Sequence, residues 1–290
     1  MVELGIGLAV VVALLTNLAS LLKHRGCQRA APVSLSRPLQ SIRGLATSRW
    51  FAAGWLVAAI AWLTHIAALS LAPISLVQAI LAGGAVTLAV MSQRIFGDPV
   101  ERRQWLALVL GGTGLALLVL TLPHFDGSHS GFSLPALLAF EGGLVLLASG
   151  LALGHRTEVL SARKGILLAT LAGLLFALAG IAIKGLTGGG GGSVALIAAL
   201  VGLTLACGGL AQYTAASALQ LGGAIETIGL MGLVANATQI LGGVLVFGDP
   251  LAPTPAGLAL QATAFALVCA SALLMPAGRG PESRTLVQVP

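Results

Sequence analysis

Nine apolar runs divide the chain, at about Val2 to Leu22, Arg49 to Ala72, Pro73 to Phe96, Gln104 to Leu122, Phe132 to Leu153, Gly165 to Leu186, Ser193 to Gln220, Gly222 to Phe247 and Thr254 to Met275. They are built from Leu, Ala, Val and Gly, and each approaches or exceeds the roughly 20 residues a helix needs to cross a bilayer. None alternates apolar and polar positions as a barrel strand would, and in lipid only helices or closed barrels satisfy their own backbone. The pattern predicts an all-α polytopic membrane protein with nine transmembrane helices. The polar segments between runs are too short for a soluble domain, so residues 1–290 read as a single transmembrane domain.

Composition agrees and removes other classes. Hydrophobic residues make up 57% of the 290 and charged residues 8%, with a mean hydropathy of +0.99, which excludes an ordinary water-soluble enzyme. The net charge of +6 comes from basic residues scattered between apolar runs. Nothing resembles the basic, aromatic-laced stripe of a nucleic-acid interface. Cys27, Cys207 and Cys269 are far apart with no CxxC spacing, so neither a disulfide framework nor a zinc site is expected. Glu3 precedes the first run and the basic Lys23 and Arg25 follow it, so this run reads as a retained span, not a secretory signal.

Lysine and arginine in short loops favour the cytoplasmic side. With nine spans, the segments Lys23 to Arg49, Arg94 to Arg103, Arg156 to Lys164 and the C-terminal tail hold 14 of the 15 basic residues on one side. The expected topology is therefore N-terminus out and C-terminus in, with residues 277–290 a cytoplasmic tail and the protein a multi-pass protein of the cell membrane. Lys184 alone falls on the other side, where it is expected to snorkel to the headgroups.

An internal repeat organises the spans. Phe96-Gly97-Asp98-Pro99 closes the third and Phe247-Gly248-Asp249-Pro250 the eighth, at an offset of 151. Ala68-Leu69-Ser70-Leu71 matches Ala218-Leu219-Gln220-Leu221. Gly5-Ile6 opens the first span as Gly165-Ile166 opens the sixth, with Leu8/Leu168, Ala9/Ala169, Leu14/Leu174 and Leu15/Leu175 in register. Repeat 1 (about 2–122) and repeat 2 (about 165–276) flank a central helix (about 132–153), a 4+1+4 arrangement. One intervening span makes the halves enter the membrane in opposite senses, the inverted-repeat plan of secondary transporters. The Gly188 to Gly192 run lacks a following GK[ST] and reads as a flexible connection.

At this point a family resemblance enters. Ala72-Pro73-Ile74-Ser75-Leu76-Val77-Gln78, the Gly-acid turn after the third span, and Arg103-Gln104-Trp105-Leu106 resemble the EamA-type repeat of the drug/metabolite transporter superfamily. The nine spans, the four-span first half and the Ala-Pro-x-Ser-Leu-Val segment look most like its NIPA-type magnesium transporter branch. The resemblance implies a secondary transporter working by alternating access, with Mg2+ as its transported ion. It implies no cofactor.

The residues themselves mark a candidate path. Gly229, Gly232, Asn236, Gln239 and Gly243 of the eighth span recur at intervals of 3 and 4 and share one helix face. The third span answers with Ser75, Gln78, Ala82, Ala85, Ala89 and Ser92, and the second carries His65 on a face of small residues. The Gly and Ala positions suit close helix packing, whereas amides facing lipid are costly. Asn236, Gln239 and Gln78 read either as a substrate path or as interhelical hydrogen bonds.

Glu141, in the middle of the fifth span beside Gly142 and Gly143, has no basic residue in its span. An ionisable group at that depth is expensive and a functional candidate, here for proton coupling or cation binding, the alternative being a carboxyl bonded to a nearby carbonyl. Glu226, one turn into the eighth span, is a second candidate, although a helix N-terminus also favours an acid. Together they form the tentative metal pair, since Mg2+ takes oxygen ligands and needs only one or two carboxylates. Asp98 and Asp249 read as helix stops before proline, and the loop His124 to His129 as a weak divalent-metal candidate.

HExxH, GxSxG and paired membrane-depth aspartates are absent from the sequence, so an enzyme is not expected. A mostly neutral path equally suits export of a small metabolite, amino acid or drug, and a non-transporting membrane scaffold stays open. Gly150 and Gly154, at GxxxG spacing, offer a contact for a homodimer.

Overall fold

A computed structural model of the chain describes residues 2–31, 33, 38–97, 101–121, 131–154, 164–187 and 193–274. Asp98, the loop His124 to His129, the Gly188 to Gly192 run and the C-terminal tail lie outside the described residues. Within them all regular structure is helical: α1 (Val2–Cys27), α2 (Pro38–Ala46), α3 (Arg49–Leu71), α4 (Ile74–Gly83), α5 (Ala85–Met91) continuing as a π-turn over Ser92–Phe96, α6 (Arg102–Thr121), α7 (Leu134–Gly154), α8 (Lys164–Thr187), α9 (Val194–Leu221), α10 (Ala224–Val246) and α11 (Pro255–Leu274).

Every one of the nine apolar runs is thus helical. Seven helical segments are long and apolar enough to cross a membrane: α1, α3, Ile74–Ile95, α7, α8, α9 and α10. The fourth and ninth runs form α6 and α11, outside that set, and the apolar part of α11, Pro255–Val268, is shorter. The protein is an α-helical, multi-pass integral membrane protein. Its surface says the same, for Leu146 is 75% exposed, Val194 84% and Leu205 66%, an apolar coat that only a non-aqueous solvent tolerates.

The third run breaks. Its helix is interrupted at Gly84, whose carbonyl accepts both from Leu88 N–H at 3.1 Å and from Asn17 Nδ2 of α1 at 2.6 Å, the same amide also donating to Thr87 Oγ1 at 2.9 Å. A side chain competing for a ladder carbonyl is a recognised cause of a kink. The short α2, nine residues with Pro38 and Arg43, lies inside the segment read from sequence as a basic loop.

Small residues set how close the helices come. A Cβ on Gly26 of α1 would sit 2.6 Å from the Phe51 nitrogen of α3, and one on Gly173 of α8 would sit 2.7 Å from the Met231 carbonyl oxygen of α10. α1 packs on α3 and α4, and α4 on α6; α8 packs on α9 and α10, and α10 on α11. Between these groups α4 meets α10, α6 meets α11, α3 meets α8 and α1 meets α9. Gly5 of α1 lies against Ala72, and Gly165 of α8 lies against Leu221, fixing where each helix begins. α7 packs on α8 and more lightly on α10.

Candidate functional site

The α4–α10 contact holds a set of buried amides. Gln78, wholly buried, donates from Nε2 to Gln239 Oε1 at 3.0 Å. The same amide nitrogen meets His65 Nε2 of α3 at 3.0 Å, so the ring nitrogen accepts and the imidazole proton sits on Nδ1. Gln239 donates to the Ala235 carbonyl at 3.3 Å, and Asn236 is buried one position beyond it. Gly180 of α8 leaves the space that the Gln239 side chain fills. Three of the predicted path residues therefore meet directly, and the Gln78 Oε1 atom keeps an unused, buried acceptor.

The stripe predictions also find their place. Gly229, Asn236, Gln239 and Gly243 are buried on α10, as are Ser75, Gln78, Ala82, Ala89 and Ser92 on the facing segment. Gly232 is half-buried.

The acids do not join this set as one centre. Glu141 is 6% exposed and shares the inward face of α7 with Leu137 and Ala148, a face that packs among Leu171, Leu175 and Leu178 of α8 and Ala211 of α9. Neither of its carboxyl oxygens has a hydrogen-bond partner, and Cys207 lies within electrostatic reach. Glu226 is half-buried in the first turn of α10, beside Gly223. Phe140, next to Glu141, lies against Gly242, sixteen positions further along α10 than Glu226, or roughly 24 Å at 1.5 Å per residue. Among the described residues no group of three or more His, Cys, Asp or Glu gathers to hold a metal.

Lysine 184 corrects one expectation. It does not snorkel: it is fully buried, and its Nζ donates to the Leu69 carbonyl at 2.8 Å and the Ala72 carbonyl at 2.9 Å. Those are the last carbonyls of α3, which a helix end leaves unpaired. Three residues beyond Ala72, Asp249 Oδ2 accepts from the Ser75 N–H at the start of α4 at 2.9 Å. Asp249 is thus a structural acid as read, but for a helix of the other group. Sequence spacing could not have assigned either partner, each more than 100 positions away.

No family model, curated protein or solved structure matches this chain.

Proposed function

We propose that the protein is a secondary transporter of the cell membrane, moving a small polar solute by alternating access along the α4–α10 contact. The observation that carries this reading is the buried amide set of Gln78, Gln239 and Asn236 where α4 and α10 meet. Buried amides offer donors and acceptors without charge, which suits a neutral or zwitterionic metabolite, amino acid or drug. The resemblance to the drug/metabolite transporter superfamily supports a transporter, while its NIPA-type branch favours the magnesium reading below.

In this reading the chain has nine spans, N-terminus out and C-terminus in, as two inverted halves around α7. Several features support it. Contacts α1–α3, α1–α4 and α4–α6 are copied as α8–α9, α8–α10 and α10–α11, and the cross-contacts α3–α8 and α1–α9 are reciprocal, as a two-fold axis demands. α1 starts beside Ala72 while α8 ends there, at Lys184, so the two run in opposite senses. Among the described residues the glycines with left-handed φ are Gly97 (+74°) and Gly248 (+65°), the same position of the two Phe-Gly-Asp-Pro turns. Glycine alone adopts that conformation at little cost.

Magnesium is the second reading, favoured by Glu141, whose two unpartnered oxygens are hard ligands. The test is flux into proteoliposomes holding the purified protein, with a trapped magnesium-sensitive dye in one arm and labelled amino acids and amphipathic amines in the other. Solute flux lost in Gln78→Leu and Gln239→Leu supports the amide path. Magnesium flux lost in Glu141→Gln, with the amide variants active, supports the second reading. Folded protein that moves nothing overturns both.

A further inference from the structure

The chain crosses from α3 to α4 through Ala72-Pro73 and from α9 to α10 through Gly222-Gly223, and the two breaks share one backbone shape: Ala72 at φ −139°, ψ 157° and Pro73 at −58°, 146°, against Gly222 at −125°, 169° and Gly223 at −67°, 154°. Each break frees carbonyls at the end of one helix and N–H groups at the start of the next. At both, freed carbonyls are met from the opposite half, and at the first break so is an N–H. Lys184 of α8 takes the Leu69 and Ala72 carbonyls, and Asp249 takes the Ser75 N–H. At the other break Gln28, just past α1, donates to the Leu219 carbonyl at 2.9 Å, and His24 Nε2 lies 3.3 Å from the Gly222 carbonyl oxygen. Three positions correspond: Leu69 with Leu219 and Ala72 with Gly222 at an offset of 150, and His24 with Lys184 at 160, whereas Gln28 and Asp249 are not counterparts.

These bonds tie the halves together at opposite ends of the α4–α10 pair, with Gln78 and Gln239 between them. We infer that the two sets are the latches of the carrier, Lys184 and Asp249 closing one end of the solute path and His24 and Gln28 the other. The inference rests on the proposed transporter reading, since a rocking motion that opens one end must part that end's bonds and keep the other's. The latches are unequal. The first uses a cation on helix carbonyls and a carboxylate on a helix N–H, both with the sign the helix dipole favours and both buried; the second uses the His24 imidazole and the Gln28 amide, beside the bonds of Gln220 to Cys27, Ala31 and Val33 and of Lys23 to Gln212.

The test is spin-label distance measurement on the full-length protein in nanodiscs, its native cysteines replaced. One label pair, Ser70 with Ser193, reports the Lys184 end; another, Thr47 with Lys164, reports the His24 end, all four sites being exposed. Lys184→Met and Asp249→Asn are expected to shift the Ser70–Ser193 distribution to longer distances and leave Thr47–Lys164 in place. His24→Ala with Gln28→Ala should do the reverse, and Lys184→Arg should stay close to the parent. Protein that elutes as a folded monodisperse species, with either distance unmoved by its own latch variant or both moved alike, overturns the latches. Latch variants that move their own end in a protein carrying no solute overturn the transporter reading and leave the latches standing. Variants that do not fold are replaced by Asp249→Asn alone, which keeps the shape of the carboxylate and removes its charge.

Discussion

The two helix breaks share a backbone and differ in chemistry. At Ala72-Pro73 a buried lysine and a buried aspartate meet the free carbonyls and N–H groups, whereas at Gly222-Gly223 the carbonyls are met by His24 and Gln28, which are partly exposed. The turn geometry recurs because both breaks must join two helices of fixed direction, and a carbonyl freed inside a membrane must find a donor. Which donor it finds is unconstrained by that geometry. The charged set costs more desolvation and is harder to part; the neutral set is cheaper on both counts.

Removing each donor in turn is the strongest way to break this comparison. Lys184→Met strands two buried carbonyls and leaves Asp249 without its nearest cation, and losing one member of a buried charged set typically costs about 3–5 kcal/mol. His24→Ala removes a long contact on a partly exposed carbonyl and another with Gln28, a loss of about 1 kcal/mol. Thermal unfolding in detergent is expected to rank Lys184→Met far below His24→Ala. Equal losses would mean that the two ends are held with equal strength and that opening has no preferred side.

A second contrast separates helix crossings from the membrane-facing surface. Gly173 has the Met231 carbonyl and the Val234 side chain where a Cβ would go, while Gly143 of α7 faces open space. Gly173→Leu should destabilise by about 1–3 kcal/mol through overpacking, and Gly143→Leu by no more than about 0.5 kcal/mol. Side-by-side melting curves check this. A large loss at Gly143 would show that its open face is covered in the membrane, by a second copy or by a helix end outside the described residues.

Much of this architecture is legible in the sequence, and what escapes it has a physical pattern. Long apolar runs in a membrane have one structural solution, so the runs read as helices, seven of the helical segments being long and apolar enough to cross. The nine-residue α2 escapes because about two and a half turns inside a basic segment carry little periodic signal. The break at Gly84 escapes because the side chain that meets its carbonyl, Asn17, lies 67 positions away, whereas α10 runs unbroken from Ala224 to Val246. Glu141 stands out in the sequence as an acid in an apolar run, and the structure buries it, but its neighbours on α8 and α9 are not readable from that run. Gln78, His65 and Gln239 are visible as polar residues on apolar faces. That they bond to one another depends on how α3, α4 and α10 are set against each other, which no single helix records.

The smallest expected effect lies in that amide set, and it sharpens the contrast between holding a fold and lining a path. The Gln78–Gln239 bond is fully interhelical and buried, yet hydrogen bonds between membrane helices average only about 0.6 kcal/mol, because the unfolded chain in lipid also finds partners. A double-mutant cycle of Gln78→Leu and Gln239→Leu should thus give a coupling near that value, read from unfolding in detergent. Their effect on solute flux should be much larger than so weak a bond explains, since each variant also removes groups that a solute would meet. If both variants lose flux only in proportion to their lost stability, the amides merely join α4 and α10, and the path must be sought elsewhere, beginning with the unpartnered carboxyl of Glu141.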